Sequence, residues 1–190
     1  MTLDSIKEAL AHTNPITSDN PNGGPDLVSA GVLLLLYMKD GEICVLLNKR
    51  TDRVEHHKGE ISFPGGAQDP EDATILDTAL READEEMGIK QEDVEILAKL
   101  DQVSTRSMFV ITPFVGTIPP SYPFQPSRIE VAEILEVPLL TLLDSFNRQE
   151  TAMAGENVGS KDYAYGEHLI RGATARILTQ FLGLIAPGLR

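Results

Sequence analysis

Cysteine is nearly absent: Cys44 is the single one in the chain, so no intrachain disulfide can staple it, which fits a reducing compartment. Long apolar runs are missing as well. The most apolar stretch, Val32 to Leu36, is far too short to span a bilayer. Met1 to Leu10 carries Asp4, Lys7 and Glu8 and lacks the basic start and apolar middle of a secretory signal. These absences lead to the expectation of a cytoplasmic protein without membrane association. Positive charge is scarce too. Sixteen Lys and Arg face 29 Asp and Glu, a net charge of −13, so the footprint of a nucleic-acid polymer binder is absent. An acidic chain also repels phosphate esters, so any such substrate requires divalent cations to invert the local field. No phosphate-binding P-loop occurs. Ser104, Thr105 and Ser107 lie near Asp101 without a paired histidine, which excludes a Ser-His-Asp hydrolase. Cys44 sits among apolar residues as core rather than nucleophile, and His12 and His168 show no metal-ligand spacing.

What is present suits one globular domain: 190 residues, 42% of them hydrophobic, with residues 1–26 as an N-terminal helix and loop and 27–190 as the main body. Residues 2–12 have helical periodicity in Leu3, Ile6, Ala9 and Leu10, and Asn14 to Pro25 reads as a loop. Strands are expected at 27–38 and 42–48 around the turn Lys39-Asp40-Gly41, with a short extended piece at 61–63, and at 94–101, 107–118 and 129–137. Residues 49–60 and 67–72 read as loops, and a hairpin is expected around Ala154 to Asn157. Helices are expected at 74–87, 138–146 and 173–184. Asp69 or Thr74 would cap the first of these, and Gly88 would stop it. Four prolines between Pro119 and Pro126 exclude regular structure there and suggest an interface or a lid. The pattern predicts an α/β (α+β) fold, a mixed sheet flanked by helices.

The helix at 74–87 carries the chemistry. Turning 100° per residue groups Leu76, Ala79, Leu80, Ala83 and Met87 into a buried stripe. Glu82, Glu85 and Glu86 fall roughly between 180° and 280° on the same wheel. Carboxylates three and four residues apart repel each other, and hard divalent cations are their natural compensation. Arg81 can pair with Glu85 or Asp77, leaving Glu82 and Glu86 freer to face a metal ion. Without further signal such a face would be read as a solvated surface.

The spacing supplies that signal. Arg81-Glu82-Ala83-Asp84-Glu85-Glu86-Met87-Gly88-Ile89 resembles the core of the Nudix box, R-E-U-x-E-E-x-G-U with U apolar, at every fixed position. At typical residue usage the five fixed letters would coincide roughly once in a million windows. Gly65 and Gly66 lie upstream, as the family's box requires, but one residue further from Arg81 than its G-x5-E-x7-R spacing allows. Asp72 or Glu71 would stand in for the first acid of the box, which is structural in the family. The resemblance implies a Nudix-type α/β/α sandwich over 27–190 and a pyrophosphohydrolase. It assigns Mg²⁺ or Mn²⁺ to Glu82 and Glu86, with Glu85 as third ligand or base and the Gly65 carbonyl in reach. Arg81, Asp72 and Gly88 would give structural support, and a homodimer is a further implication.

Leu46-Leu47-Asn48-Lys49-Arg50-Thr51 and Gly59 through Gly66 resemble the coenzyme A pyrophosphatase subfamily, whose pattern runs L-L-T-x-R-[SA]-x3-R-x3-G-x3-F-P-G-G. Asn48, Thr51 and Glu55 depart from it, and Glu55 reverses the charge of an expected arginine. Arg50, Arg53, His57 and Lys58 form a compact basic group beside Gly66 and are the expected substrate-binding residues. The resemblance implies cleavage of coenzyme A or its derivatives to 3′,5′-ADP and (acyl-)phosphopantetheine. Two alternatives stand beside it: hydrolysis of another nucleotide such as ADP-ribose, a dinucleotide polyphosphate or a modified dNTP, and a non-catalytic nucleotide sensor on the same scaffold.

Overall fold

The computed structural model describes residues 1–11, 27–52, 59–152 and 161–189. Four helices, α1 (Leu3–Leu10), α2 (Ile75–Met87), α3 (Leu139–Ala152) and α4 (Gly172–Ile185), surround a mixed sheet. Its strands are β1 (Val28–Lys39), β2 (Glu42–Arg50), β3 (Ile61–Ser62), β4 (Gly65–Ala67), β5 (Glu95–Lys99), β6 (Val103–Ser104), β7 (Phe109–Thr117) and β8 (Val131–Pro138). A separate hairpin joins β9 (Tyr163–Tyr165) to β10 (His168–Ile170). The main path runs β3-β2-β1-β7-β5, with β4 on β1, β6 on β7 and β8 on β2. β1 and β7 run parallel over nine residue pairs, Val28↔Phe109 to Leu36↔Thr117. Among the described residues no helix is long and apolar enough to cross a membrane.

Alternation along β1 and β2 divides the core. Leu33, Leu35, Tyr37, Cys44 and Leu46 face α2 and meet Ala79, Leu80, Ala83 and Met87. Leu34, Leu36, Val45 and Leu47 face the other side, where α1, α3 and α4 supply Ile6, Leu10, Leu142, Phe146, Leu178 and Phe181. Both faces of the central strands are therefore apolar, which gives the near-continuous Val32–Leu36 run. Burying each leucine contributes roughly 1.5–3 kcal/mol before entropy is counted. The N-terminal helix shares this core: Ile6 and Leu10 are buried against α4.

Several boundaries differ from those expected from sequence. β2 continues through Arg50 because it pairs with β8 as far as Arg50↔Val131, so residues 49 and 50 are strand rather than loop. Residues 65–67, expected as loop, pair with β1 at Ala30↔Ala67 and Val32↔Gly65. The strand expected at 94–101 ends at Lys99. α3 extends beyond residue 146 to Ala152. The hairpin expected around residues 154–157 falls outside the described residues, and the hairpin that is described lies further on, at 163–170. Pairing across strands, invisible to local propensity, decides the ends of β2, β4 and β5.

Candidate active site

α2 lies unusually close to the sheet. A Cβ added at Gly31 would fall 2.4 Å from the Ile75 carbonyl oxygen, and one at Gly66 would fall 2.5 Å from Glu82 Cδ. The small residues of β1 and β4 thus let the acidic edge of the helix press against the Gly65–Gly66 strand. Thr74, not Asp69, caps the helix: its hydroxyl oxygen accepts from the Asp77 N–H at 3.1 Å and its O–H donates to the Asp77 carboxylate at 2.8 Å. Gly88 ends the helix at φ 71°, and the next N–H, of Ile89, donates back to the Ala83 carbonyl at 3.2 Å.

The segment from Pro119 to Glu130 is laid across that end of α2. Gln125 N–H donates to the Met87 carbonyl and Ser127 N–H to the Glu86 carbonyl, each at 2.8 Å. Phe124 meets Tyr37 edge-on with ring centres 5.6 Å apart. Tyr122 donates to Asp93 at 2.7 Å. The proline-rich segment therefore satisfies the orphan Glu86 and Met87 carbonyls of the acidic helix.

The three glutamates have different surroundings. Glu85 is exposed. Glu82 is half-buried against Gly66, and burial pushes its carboxyl up while Arg81 opposes the shift. Glu86, grouped by the helix wheel with Glu82 and Glu85 and expected to face a metal ion, is 1% exposed. Its wheel position borders the apolar stripe, and β2 and β4 close over it. Glu86 Oε2 accepts from Asn48 Nδ2 at 3.0 Å and from the Gly65 N–H at 3.2 Å, while Oε1 accepts from Arg50 Nη1 at 3.1 Å. Burial raises the Glu86 carboxyl to about 7, with Arg50 and the Gly65 N–H opposing and Glu82 and Glu130 adding repulsion.

Of the two partners expected for Arg81, Glu85 is engaged and Asp77, which Thr74 holds, is not. Arg81 Nε and Nη2 grip both oxygens of Asp72 at 3.0 Å, and its Nη1 reaches Glu82 at 2.9 Å and Glu85 at 3.1 Å. Glu82 is therefore tied to Arg81 rather than left free. The Arg81 guanidinium holds the Asp72 carboxyl well below the usual carboxylate range. A contact from Arg81 Nη2 to Asp69 at 3.5 Å completes the clamp from the loop before α2 to its solvent face.

Arg50 thus joins the carboxylates, and Gly65 and Gly66 line them. Arg53, His57 and Lys58, the other expected substrate-binding residues, lie outside the described residues, as does Glu55. Two participants had no role in the sequence reading. Asn48 is fully buried against Glu86. The Glu130 charge raises the carboxyls of both Glu82 and Glu86. Thr51 fixes that neighbour: its N–H donates to the Glu130 carbonyl at 2.8 Å. Only the β2–β8 pairing, which no local motif reveals, brings these residues to α2.

Among the described residues no three His, Cys, Asp or Glu side chains stand close enough to form a ready metal cage. The carboxylates engage arginines instead. Their chemistry nevertheless suits a hard dication: oxygen donors on Glu82, Glu86 and Glu130 repel one another, and Arg50 and Arg81 supply only part of the compensating charge.

Comparison with known proteins bears on the same residues. A profile of the NUDIX domain matches residues 27–152. An uncharacterized Nudix hydrolase, NudL, of Photorhabdus laumondii is 37% identical over 153 residues, 80% of this chain and 81% of that protein. A NudL of Yersinia pestis is 36% identical over 151 residues, 78% of this chain and 75% of that one. Among solved structures, a NUDIX hydrolase from Alicyclobacillus acidocaldarius superposes with a TM-score of 0.59 at 16% identity, covering 83% of this chain and 92% of its own. An Ap4A hydrolase of C. elegans superposes with a TM-score of 0.55 at 17% identity, covering 86% and 98%. The profile spans the Gly-Gly strand and the acidic helix, and the relatives match along most of their own length; the chain belongs to the Nudix family of pyrophosphohydrolases.

Proposed function

We propose that this Nudix hydrolase cleaves the diphosphate of coenzyme A or its derivatives, releasing 3′,5′-ADP and (acyl-)phosphopantetheine, with Mg²⁺ or Mn²⁺ as cofactor. The observation that carries the reading is the bond from Arg50 to Glu86. Arg50 belongs to the stretch resembling the coenzyme A subfamily, and Glu86 to the box, so substrate-reading and metal-binding segments meet at one carboxylate.

Glu82 and Glu86 would hold the cation, with Glu85 as third ligand or base and the Gly65 carbonyl beside them. A cation held there would supply neutralisation of the diphosphate oxygens and acidification of a water for attack on phosphorus. The protein's own groups do the rest. Gly66 keeps the strand close to Glu82. Arg50, beside Glu86 at the site, would take a phosphate oxygen. Arg53, His57 and Lys58 would answer the additional 3′-phosphate, which needs positive charge beyond the metal. Arg81, Asp72 and Gly88 hold the helix in place.

Product analysis after incubation with coenzyme A and Mg²⁺ or Mn²⁺ tests the proposal, beside ADP-ribose and dinucleotide polyphosphates under the same conditions. The expected result is 3′,5′-ADP and phosphopantetheine, with turnover abolished by chelator. A strong preference for ADP-ribose would overturn the choice of substrate. That second reading, hydrolysis of another nucleoside diphosphate, is favoured by Glu55, which stands where the subfamily pattern has arginine.

A further inference from the structure

We propose that Asn48 is a positioning residue for the cation site, setting the Glu86 carboxylate through a buried relay that begins at Ser62. The proposal rests on the reading that Glu86 holds the divalent cation.

Asn48 on β2 and Ser62 on β3 are directly paired across the two strands, on the edge that faces α2. Asn48 is 0% exposed. A buried primary amide must place both a carbonyl oxygen and N–H donors, or carry a desolvation cost. Here both ends are engaged: the Ser62 hydroxyl donates to Asn48 Oδ1 at 2.8 Å, and Asn48 Nδ2 donates to Glu86 Oε2 at 3.0 Å. The reverse amide orientation would set its carbonyl oxygen against a carboxylate, so Glu86 selects the orientation, and the Ser62 hydroxyl, which can donate or accept, answers it as donor to Oδ1.

The consequence lies in how the two oxygens of Glu86 are divided. Oε2 takes two fixed donors, the Asn48 amide and the Gly65 N–H. Oε1 has one donor, Arg50 Nη1, from a side chain that is 24% exposed. One oxygen is thus committed to the protein frame and the other is presented to the site. A group that orients a metal ligand in this way preorganises it before the ion arrives. The position is also one where the chain departs from the subfamily pattern: asparagine stands in place of threonine, and its amide reaches one bond further from the backbone than a hydroxyl. Asn48 and Ser62 are the paired residues that this longer reach connects.

Binding of Mn²⁺ to the whole protein, followed by the electron paramagnetic resonance of free Mn²⁺, reads the relay without turnover. Asn48→Ala is expected to weaken Mn²⁺ binding about 10- to 100-fold. Ser62→Ala, which keeps the amide but removes the donor to its Oδ1, is expected to weaken binding severalfold. The double variant should bind no worse than Asn48→Ala alone, because Ser62 acts only through Asn48. Additive losses in the double variant would overturn the relay, since independent packing defects add. If Asn48→Ala does not fold, Ser62→Ala decides: binding equal to wild type overturns the proposal, and a severalfold loss supports it. Glu86→Gln separates the two levels of inference. If it abolishes Mn²⁺ binding while folded Asn48→Ala binds as wild type does, the relay alone is wrong. If Glu86→Gln binds Mn²⁺ as tightly as wild type, the assignment of Glu86 to the cation fails, and the relay with it.

Discussion

Glu86→Gln keeps the shape of the side chain and removes its charge, and the effect on the metal-free protein depends on pH. Glu86 is 1% exposed. Burial lifts its carboxyl from an ordinary 4.5 to about 7, even with Arg50 and the Gly65 N–H pulling it down. At 1.36 kcal/mol per unit, holding the ionised form costs the fold about 3 kcal/mol. Below pH 4.5 the group is protonated in both folded and unfolded chains, and no cost arises. The cost grows as pH rises through the window from 4.5 to 7 and is complete above it. Metal-free wild type should therefore lose about 3 kcal/mol relative to Glu86→Gln between the acid and alkaline sides of that window, or roughly 6–12 °C in Tm for a chain of this size. Calorimetric melts of both proteins in chelator, across a pH series spanning the window, measure this difference. Adding Mn²⁺ on the alkaline side should recover stability in wild type and far less in the variant, because the ion binds only the folded state. A Tm difference that stays constant across the series would refute the reasoning, since it would mean that Glu86 is not ionised at a cost.

Three further outcomes follow from the geometry. Gly66→Ala sets a Cβ 2.5 Å from Glu82 Cδ. Displacing that carboxylate should lower kcat by about 10²-fold in steady-state assays while the melting curve stays cooperative. Gly88→Ala combines φ 71° with a Cβ 2.9 Å from Gln125 Cβ. It should destabilise the chain by about 1–2 kcal/mol in urea titrations, through the helix end and the segment laid over it. Asp72→Asn removes a carboxylate that Arg81 holds below its ordinary 3.8. Because that pKa is depressed on folding, its contribution is present above about 4 and is lost as pH falls. The wild-type urea midpoint should therefore drop on acidification more steeply than that of the variant.

The one-residue excess between Gly66 and Arg81 illustrates how far spacing alone carries. Sequence left Asp72 and Glu71 both open as the acid that Arg81 needs; in the folded loop Asp72 turns in, 6% exposed at its side chain, and takes both Arg81 nitrogens. Arg81 itself was expected to favour residues on its own helix by the i, i+4 rule. A fixed planar fork with five donors can instead serve a loop and two helix positions at once. The helix wheel likewise placed Glu86 with its exposed neighbours, because a wheel records direction but not what stands opposite.

The acidic helix, its buried stripe, its Gly88 stop and the Gly-Gly pair upstream of it were determined by sequence alone. Each follows from local periodicity, backbone conformation or a fixed motif spacing. Tertiary structure decided what those carboxylates meet. Pairing of β2 with β8 and β3 brings Asn48, Arg50 and Glu130 to the helix from positions 38, 36 and 44 residues from Glu86 in the chain, converting one glutamate of a charged face into a buried, thrice-bonded carboxylate. The physical reason is that hydrogen bonding and desolvation at Glu86 depend on groups distant in sequence, which no local period encodes.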